Sequence, residues 1–94
     1  MKHGALVHDQ EDDVAVVVSD ISAGDAVTAV TLEGEKIATV EATMDIPLGH
    51  KIALREIAKD ADLIKYGRSI GRATTNIAKG EHVHTQNIKS VRWA

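Results

Sequence analysis

Two histidines separated by a single residue are the clearest chemical feature of this 94-residue chain. His82 and His84 flank Val83, and on a β-strand this spacing places both imidazoles on one face, about 6.5–7 Å apart at the backbone. Such a pair can supply two nitrogen ligands to a divalent metal, with further ligands from carboxylates or from another chain. The same spacing is compatible with two histidines that simply occupy a solvent-exposed face.

A second candidate group follows a loop that contains Pro47 and Gly49. His50 and Lys51 come directly after it, so we expect them to lie where the loop enters a strand. Loops held by a rigid sheet often carry functional residues. An ordinary surface pair of histidine and lysine is the alternative interpretation.

Basic residues are concentrated between positions 51 and 72, whereas residues 9–45 hold most of the acids. Arg55 and Arg72 belong to this basic segment. A local positive region on a chain of net charge −3 suits a small anionic ligand such as a carboxylate or a sulfonate. A mixed surface without a ligand would show the same pattern.

Length and composition exclude several classes of protein. The chain is short enough for one domain, residues 1–94, and has little material for a deep cleft, which argues against a self-contained enzyme. The net charge of −3 argues against a nucleic-acid binder that relies on a positive field. The absence of cysteine excludes disulfides and thiolate zinc sites and favours the cytoplasm, and no apolar run approaches the ~20 residues of a membrane span.

Short apolar segments separated by turn residues predict a mainly β fold that positions these side chains. With only two aromatic residues, Tyr66 and Trp93, the core must be built from aliphatic side chains, many of them β-branched. The pattern predicts strands at residues 14–18, 26–32, 36–43, 51–54 and 63–66, with residues 82–93 closing the sheet. The glycines between 66 and 71 are expected to turn the chain between strands.

An internal repeat refines this prediction. Ile21, Ile57 and Ile77 each follow Asp, Glu or Asn, and three residues later comes Gly24, Asp60 or Gly80. The repeat indicates a turn that stops where glycine tolerates positive φ, followed by a strand. We therefore expect two or three single-turn helices, and no long helix over residues 52–66.

Several phrases together resemble the SAF domain of the altronate/galactarate dehydratase family. These are IPLGHKIA at 46–53, IKYG at 64–67, IGRAT at 70–74 and GEHVH at 80–84 with Asn87, and the opening with His8, Asp13 and residues 14–18 is also similar. The resemblance covers nearly the whole chain and implies the small β-clip fold of that family. Two positions depart from the pattern: Gln86 stands where relatives often carry a third histidine, and Asp60 replaces a common glycine.

The resemblance implies a role in a lyase. The chain is similar to the free-standing small subunit of the split sulfolactate sulfo-lyases, which release sulfite and leave pyruvate, so a large catalytic subunit is the implied partner. A divalent metal, iron by family, is the implied cofactor, with His82 and His84 as ligands. His50 and His84 are the implied catalytic residues.

The implied substrate is a small anionic hydroxy-acid, held by Lys51, Arg55 and Arg72. Three alternatives remain open: a detached module of a sugar-acid dehydratase, a non-enzymatic binding module for hydroxy-acids, and a structural domain whose histidines have no function.

Overall fold

Short β-strands make up the regular structure of the chain in the computed structural model, which describes residues 3–8, 12–65, 68–84 and 86–89. Within these ranges the strands are β1 His3–Val7, β2 Val14–Val17, β3 Ala26–Thr31, β4 Lys36–Glu41, β5 Lys51–Ala53, β6 Asp62–Lys65, β7 Arg68–Ala73, β8 His82–Val83 and β9 Ile88–Lys89. The mainly β prediction is therefore confirmed. No helix in the described residues has the length and apolar character needed to cross a membrane.

The strands form two sheets. The larger has the order β4-β3-β1-β2-β5-β8, and the smaller has the order β6-β7-β9. Only the pair of β1 and β3 is parallel, and the other strand pairs within the described residues are antiparallel. The strands predicted at residues 26–32 and 36–43 are present as the antiparallel pair β3 and β4. The buried side chains of Val27, Ala29 and Thr31 show the alternation expected for a sheet with one covered face.

Two apolar clusters meet at β2 and β5, because successive side chains of a strand point to opposite faces. Ala15 and Val17 of β2 belong to the first cluster, whereas Val14 belongs to the second. In β5, Ile52 belongs to the first cluster and Ala53 to the second. These two strands are therefore covered on both faces over part of their length, which explains the continuous apolar run at residues 14–18.

The repeated turn occurs four times among the described residues, and the one that contains Gly49 was not recognised in the sequence. The third residue of each turn has a positive φ: 93° at Gly24, 85° at Gly49, 71° at Asp60 and 86° at Gly80. Each turn is closed by one backbone hydrogen bond over three residues, as from His50 N–H to the Pro47 carbonyl at 3.0 Å. A positive φ at the third of four residues is typical of a type II β-turn.

The expected single-turn helices are therefore wrong for the described residues, where these segments are isolated turns. A helical turn and a type II turn can both end in a left-handed residue, so the Ile-x-x-Gly pattern did not distinguish them. Asp60 does take the positive φ that the repeat predicted for it.

The turns are paired and attached to strands. Ile21 bridges Ile46, and Ile57 bridges Ile77, with both backbone hydrogen bonds formed in each pair at 2.8–2.9 Å. In addition, the N–H of each left-handed residue donates to the carbonyl of a buried residue, and the four accepting carbonyls belong to Ala42, Val17, Ala73 and Ala53 in chain order. The turns thus fix the ends of the strands that they contact.

Two other expectations need correction. Gly71 does not turn the chain but lies inside β7, opposite Leu63, beside a register shift that a residue without a side chain accommodates. The segment 82–93 does not close one sheet: β8 belongs to the larger sheet and β9 to the smaller, while residues 85 and 90–94 lie outside the described residues. Strands β1 and β7 were not predicted.

We predict that Gly80→Ala is much more destabilising than Gly24→Ala. Both glycines have positive φ, which gives a strain of about 1–2 kcal/mol for alanine. A Cβ at Gly24 would meet nothing within 4 Å, whereas one at Gly80 would collide with the carbonyl oxygen of Glu41. We expect Gly80→Ala to lower the free energy of unfolding by about 2–4 kcal/mol in urea denaturation. Equal losses for the two variants would contradict this packing argument.

Candidate metal centre

The pairing of β5 with β8 brings together histidines that are far apart in the sequence. Lys51 faces Val83 and Ile52 faces His82, so the antiparallel register places His50 level with His84. The Gly80 turn holds this pairing, because Gly80 N–H donates to the Ala53 carbonyl at 2.8 Å. The loop histidine and the predicted His-x-His pair therefore form a single group.

The three imidazoles of His50, His82 and His84 are close enough to share one ion. Nδ1 of His50 lies 2.8 Å from Nε2 of His82, and one ring nitrogen from each of the three lies within 4.8 Å of the others. In a tetrahedral site with metal–nitrogen distances of about 2.0–2.1 Å, two ligand nitrogens are roughly 3.4 Å apart. The spacing and the imidazole donors thus fit a divalent first-row metal with small ring movements.

The rings also contact one another. The centroids of His50 and His84 are 4.2 Å apart in a stacked arrangement, and those of His50 and His82 are 5.0 Å apart. Burial lowers the pKa of His82 below its ordinary value, and the neighbouring His50 and His84 lower it further, against an opposing effect of Glu81. His82 is therefore neutral at pH 7, which is the form that binds metal.

Asn87 fixes the backbone that carries His82 and His84. Its side chain is buried, its Oδ1 accepts from the N–H of His84 at 3.0 Å, and its Nδ2 donates to the carbonyl of His82 at 2.8 Å and to Oε2 of Glu81 at 3.1 Å. Asn87 stands in one of the sequence motifs, but no role was predicted for it. Asparagine side chains commonly form hydrogen bonds with backbone groups a few residues away in turns, and this was the available signal.

Gln86 is a second neighbour that received no role. Its Nε2 lies 3.3 Å from Nδ1 of His82 and 3.2 Å from the carbonyl oxygen of the same residue. Gln86 is therefore in contact with the histidine group.

The predicted anion-binding residues are not gathered around the histidines. Among the described residues, no hydrogen bond or ion pair joins Arg55 or Arg72 to the three rings. Nε of Arg55 lies 3.1 Å from Oδ1 of Asp13, a carboxylate that also accepts from Ile64 N–H at 2.8 Å, so Arg55 helps to hold the smaller sheet against the larger.

Arg72 belongs to β7 in the smaller sheet, where its Nε lies 3.7 Å from Oδ1 of Asp62. With Lys89 and Thr74 it lines an open cavity of about 300 Å³. Lys51, in contrast, is adjacent to His50 in β5 and half-buried. Of the three predicted cations, Lys51 is the one whose backbone lies at the histidine group, but strand alternation directs its side chain to the opposite face of β5, the face of Val83.

Comparison with known proteins was consistent with the resemblance seen in the sequence. Residues 3–91 match the family model of the altronate/galactarate dehydratase SAF domain. The chain is 42% identical to the (2R)-sulfolactate sulfo-lyase subunit alpha of Chromohalobacter salexigens over 94% of this chain and 95% of that subunit. It is 43% and 37% identical to the altronate dehydratases of Escherichia coli and Bacillus subtilis over 84% and 96% of this chain, but it spans only 15% and 17% of their lengths. The name of the first relative implies that this sulfo-lyase has another subunit.

We predict that the stability of the metal-free chain falls as the pH decreases below about 6.5. The pKa of His82 is lower in the folded chain than in the unfolded one, so the unfolded state takes up the proton first and is favoured by acid. Thermal unfolding with a chelator at pH 7.5, 6.5 and 5.5 should show this loss, and His82→Gln should make it smaller. An unchanged slope in His82→Gln would contradict the prediction.

Proposed function

Since the chain belongs to the altronate/galactarate dehydratase SAF domain family, we propose that it is the small subunit of a (2R)-sulfolactate sulfo-lyase. The observation that carries this proposal is the similarity to a sulfo-lyase alpha subunit over 95% of that subunit. In this role the chain is not catalytic alone but completes the site of a large catalytic subunit. A cytoplasmic location belongs to the proposal and rests on the cysteine-free composition.

The proposed cofactor is a divalent metal, with iron as the expected ion, held by His82 and His84 and shared with the large subunit. The spacing of the three rings supports His50 as a third ligand. When bound, the metal would stabilise negative charge that develops beside the substrate carboxylate.

The proposed reaction is an elimination. The proton on the carbon next to the carboxylate is removed, the bond from the neighbouring carbon to sulfur breaks, and its electron pair leaves with sulfite. The product is the enol of pyruvate, which becomes pyruvate by moving a proton. If His50 is free of metal, it is within the site to move one of these protons; if it is a ligand, the large subunit must provide the base.

A sugar-acid dehydratase is the second candidate, because the E. coli altronate dehydratase is as similar in identity as the sulfo-lyase subunit. Loss of water from altronate or galactarate follows the same plan of proton removal and departure of a neighbouring group. The two candidates differ in the leaving group. A non-enzymatic binding module predicts instead that the isolated chain binds a hydroxy-acid.

We predict that the chain co-purifies with a large subunit of the catalytic-half family when the two are co-expressed, and that the complex releases sulfite from (2R)-sulfolactate. Neither subunit alone should do so. Water loss from altronate without sulfite release would favour the dehydratase. A chain that binds no such subunit but binds a hydroxy-acid in calorimetry would favour the binding module.

We predict that His84→Ala abolishes the lyase activity of the complex, by about 100-fold or more, without unfolding the chain. His50→Ala tests the two roles of His50: loss of metal together with activity indicates a ligand, and loss of activity with metal retained indicates an acid or base. Lys36→Ala is the matched control, because Lys36 is exposed on β4 at the opposite edge of the larger sheet from β8. Full activity of His84→Ala would contradict the proposed site.

A further inference from the structure

The side chain of Gln86 contacts His82 at two points through a single atom. Its Nε2 is 3.3 Å from the ring Nδ1 and 3.2 Å from the backbone carbonyl oxygen. The carbonyl can only accept hydrogen bonds, so the amide nitrogen and not the amide oxygen must face it. The second hydrogen of the same amide group is then directed to the ring.

This contact determines which ring nitrogen of His82 carries the hydrogen. A neutral imidazole has one donor and one acceptor nitrogen. Because Nδ1 accepts from Gln86, the hydrogen lies on Nε2, which faces Nδ1 of His50 at 2.8 Å. The chain of hydrogen bonds therefore runs from the Gln86 amide through His82 to His50.

We propose that Gln86 is a positioning residue that holds His82 with its hydrogen on Nε2 and thereby weakens metal binding through that nitrogen. The part that concerns metal rests on the proposed function of the three histidines. A histidine that binds metal through Nε2 carries its hydrogen on Nδ1 and donates it to an acceptor. The Gln86 amide could accept it only by turning its oxygen toward the His82 carbonyl, where two oxygens would repel.

A glutamate at position 86 should reverse this preference. A carboxylate has no hydrogen to donate and accepts one from Nδ1, which leaves Nε2 free for a metal. The His82 carbonyl would keep its bond from Asn87 Nδ2 at 2.8 Å, so a glutamate can move away from that oxygen and still reach the ring. Because Gln86 is exposed, the substitution should not disturb the core.

The first test is the position of the hydrogen on His82, measured by long-range proton–nitrogen NMR of the full chain at pH 8 with a chelator. We expect the hydrogen on Nε2 in the original chain and on Nδ1 in Gln86→Glu. In Gln86→Met we expect it to be divided between the two nitrogens, because the methionine side chain has a similar length but donates no hydrogen bond to the ring. A hydrogen on Nδ1 in the original chain, or the same tautomer in all three, would overturn the proposal.

The second test is the affinity of the same chains for Fe²⁺ alone under anaerobic conditions, measured by calorimetry. We expect binding about 10–100-fold tighter in Gln86→Glu and a few-fold tighter in Gln86→Met. Leu32→Glu adds the same charge to the exposed turn between β3 and β4, away from β8, and should change nothing. An increase in Gln86→Glu with no change of tautomer would mean that the new carboxylate is itself a ligand, and would overturn the proposal.

The two tests separate the two claims. If none of the chains binds Fe²⁺, this chain does not hold the metal without the large subunit and the claim about affinity fails, whereas the NMR result still decides whether Gln86 controls His82. If the chains bind Fe²⁺ with equal affinity, the metal site stands and the positioning role of Gln86 is overturned.

Discussion

The left-handed third residue of each repeated turn is the constraint on which the rest of the structure depends. Its N–H lies in the central peptide link of the turn and donates to the carbonyl of a buried residue, while the N–H of the next residue closes the turn. Turn geometry and strand position are therefore not independent. Aspartate tolerates this conformation at position 60, but the carbonyl of Glu41 leaves no room for any side chain at Gly80.

The histidine group is a direct consequence of two of these turns. His50 follows Gly49, whose N–H is bound to the Val17 carbonyl at the end of β2, and His82 comes two residues after Gly80, which is bound to Ala53 at the end of β5. Each turn sets where the next strand begins, and the pairing of β5 with β8 then sets the distance between the rings. The same type of turn occurs four times in the described residues, and the three histidines of the group lie where two of these turns, at Gly49 and Gly80, are close to each other.

The sequence predicted those parts of the structure that depend on local pattern. A continuous apolar run located β2, short apolar segments between turn residues located β3, β4, β5 and β6, and the spacing of His82 and His84 put both on one face. The contact of His50 with His82 spans 32 residues and depends on strand register, which no local pattern contains. The ion pair of Arg55 could not be predicted for the same reason, because Asp13 lies on a distant segment of the chain. The fourth turn was missed because Pro47 and Gly49 were interpreted only as parts of a loop.

The charges around the histidines explain why this chain needs another subunit if it acts on a doubly charged substrate. The depressed pKa of His82 makes this ring a neutral nitrogen ligand and not a positive charge. Arg55 and Arg72 are engaged by Asp13 and Asp62, outside the group. Lys51 follows His50 in the chain, but strand alternation directs its side chain to the other face of β5, the face of Ala53 and Val83. If the substrate carries a carboxylate and a sulfonate, as the proposed function implies, the positive charges that bind it must therefore come from the partner or from the metal.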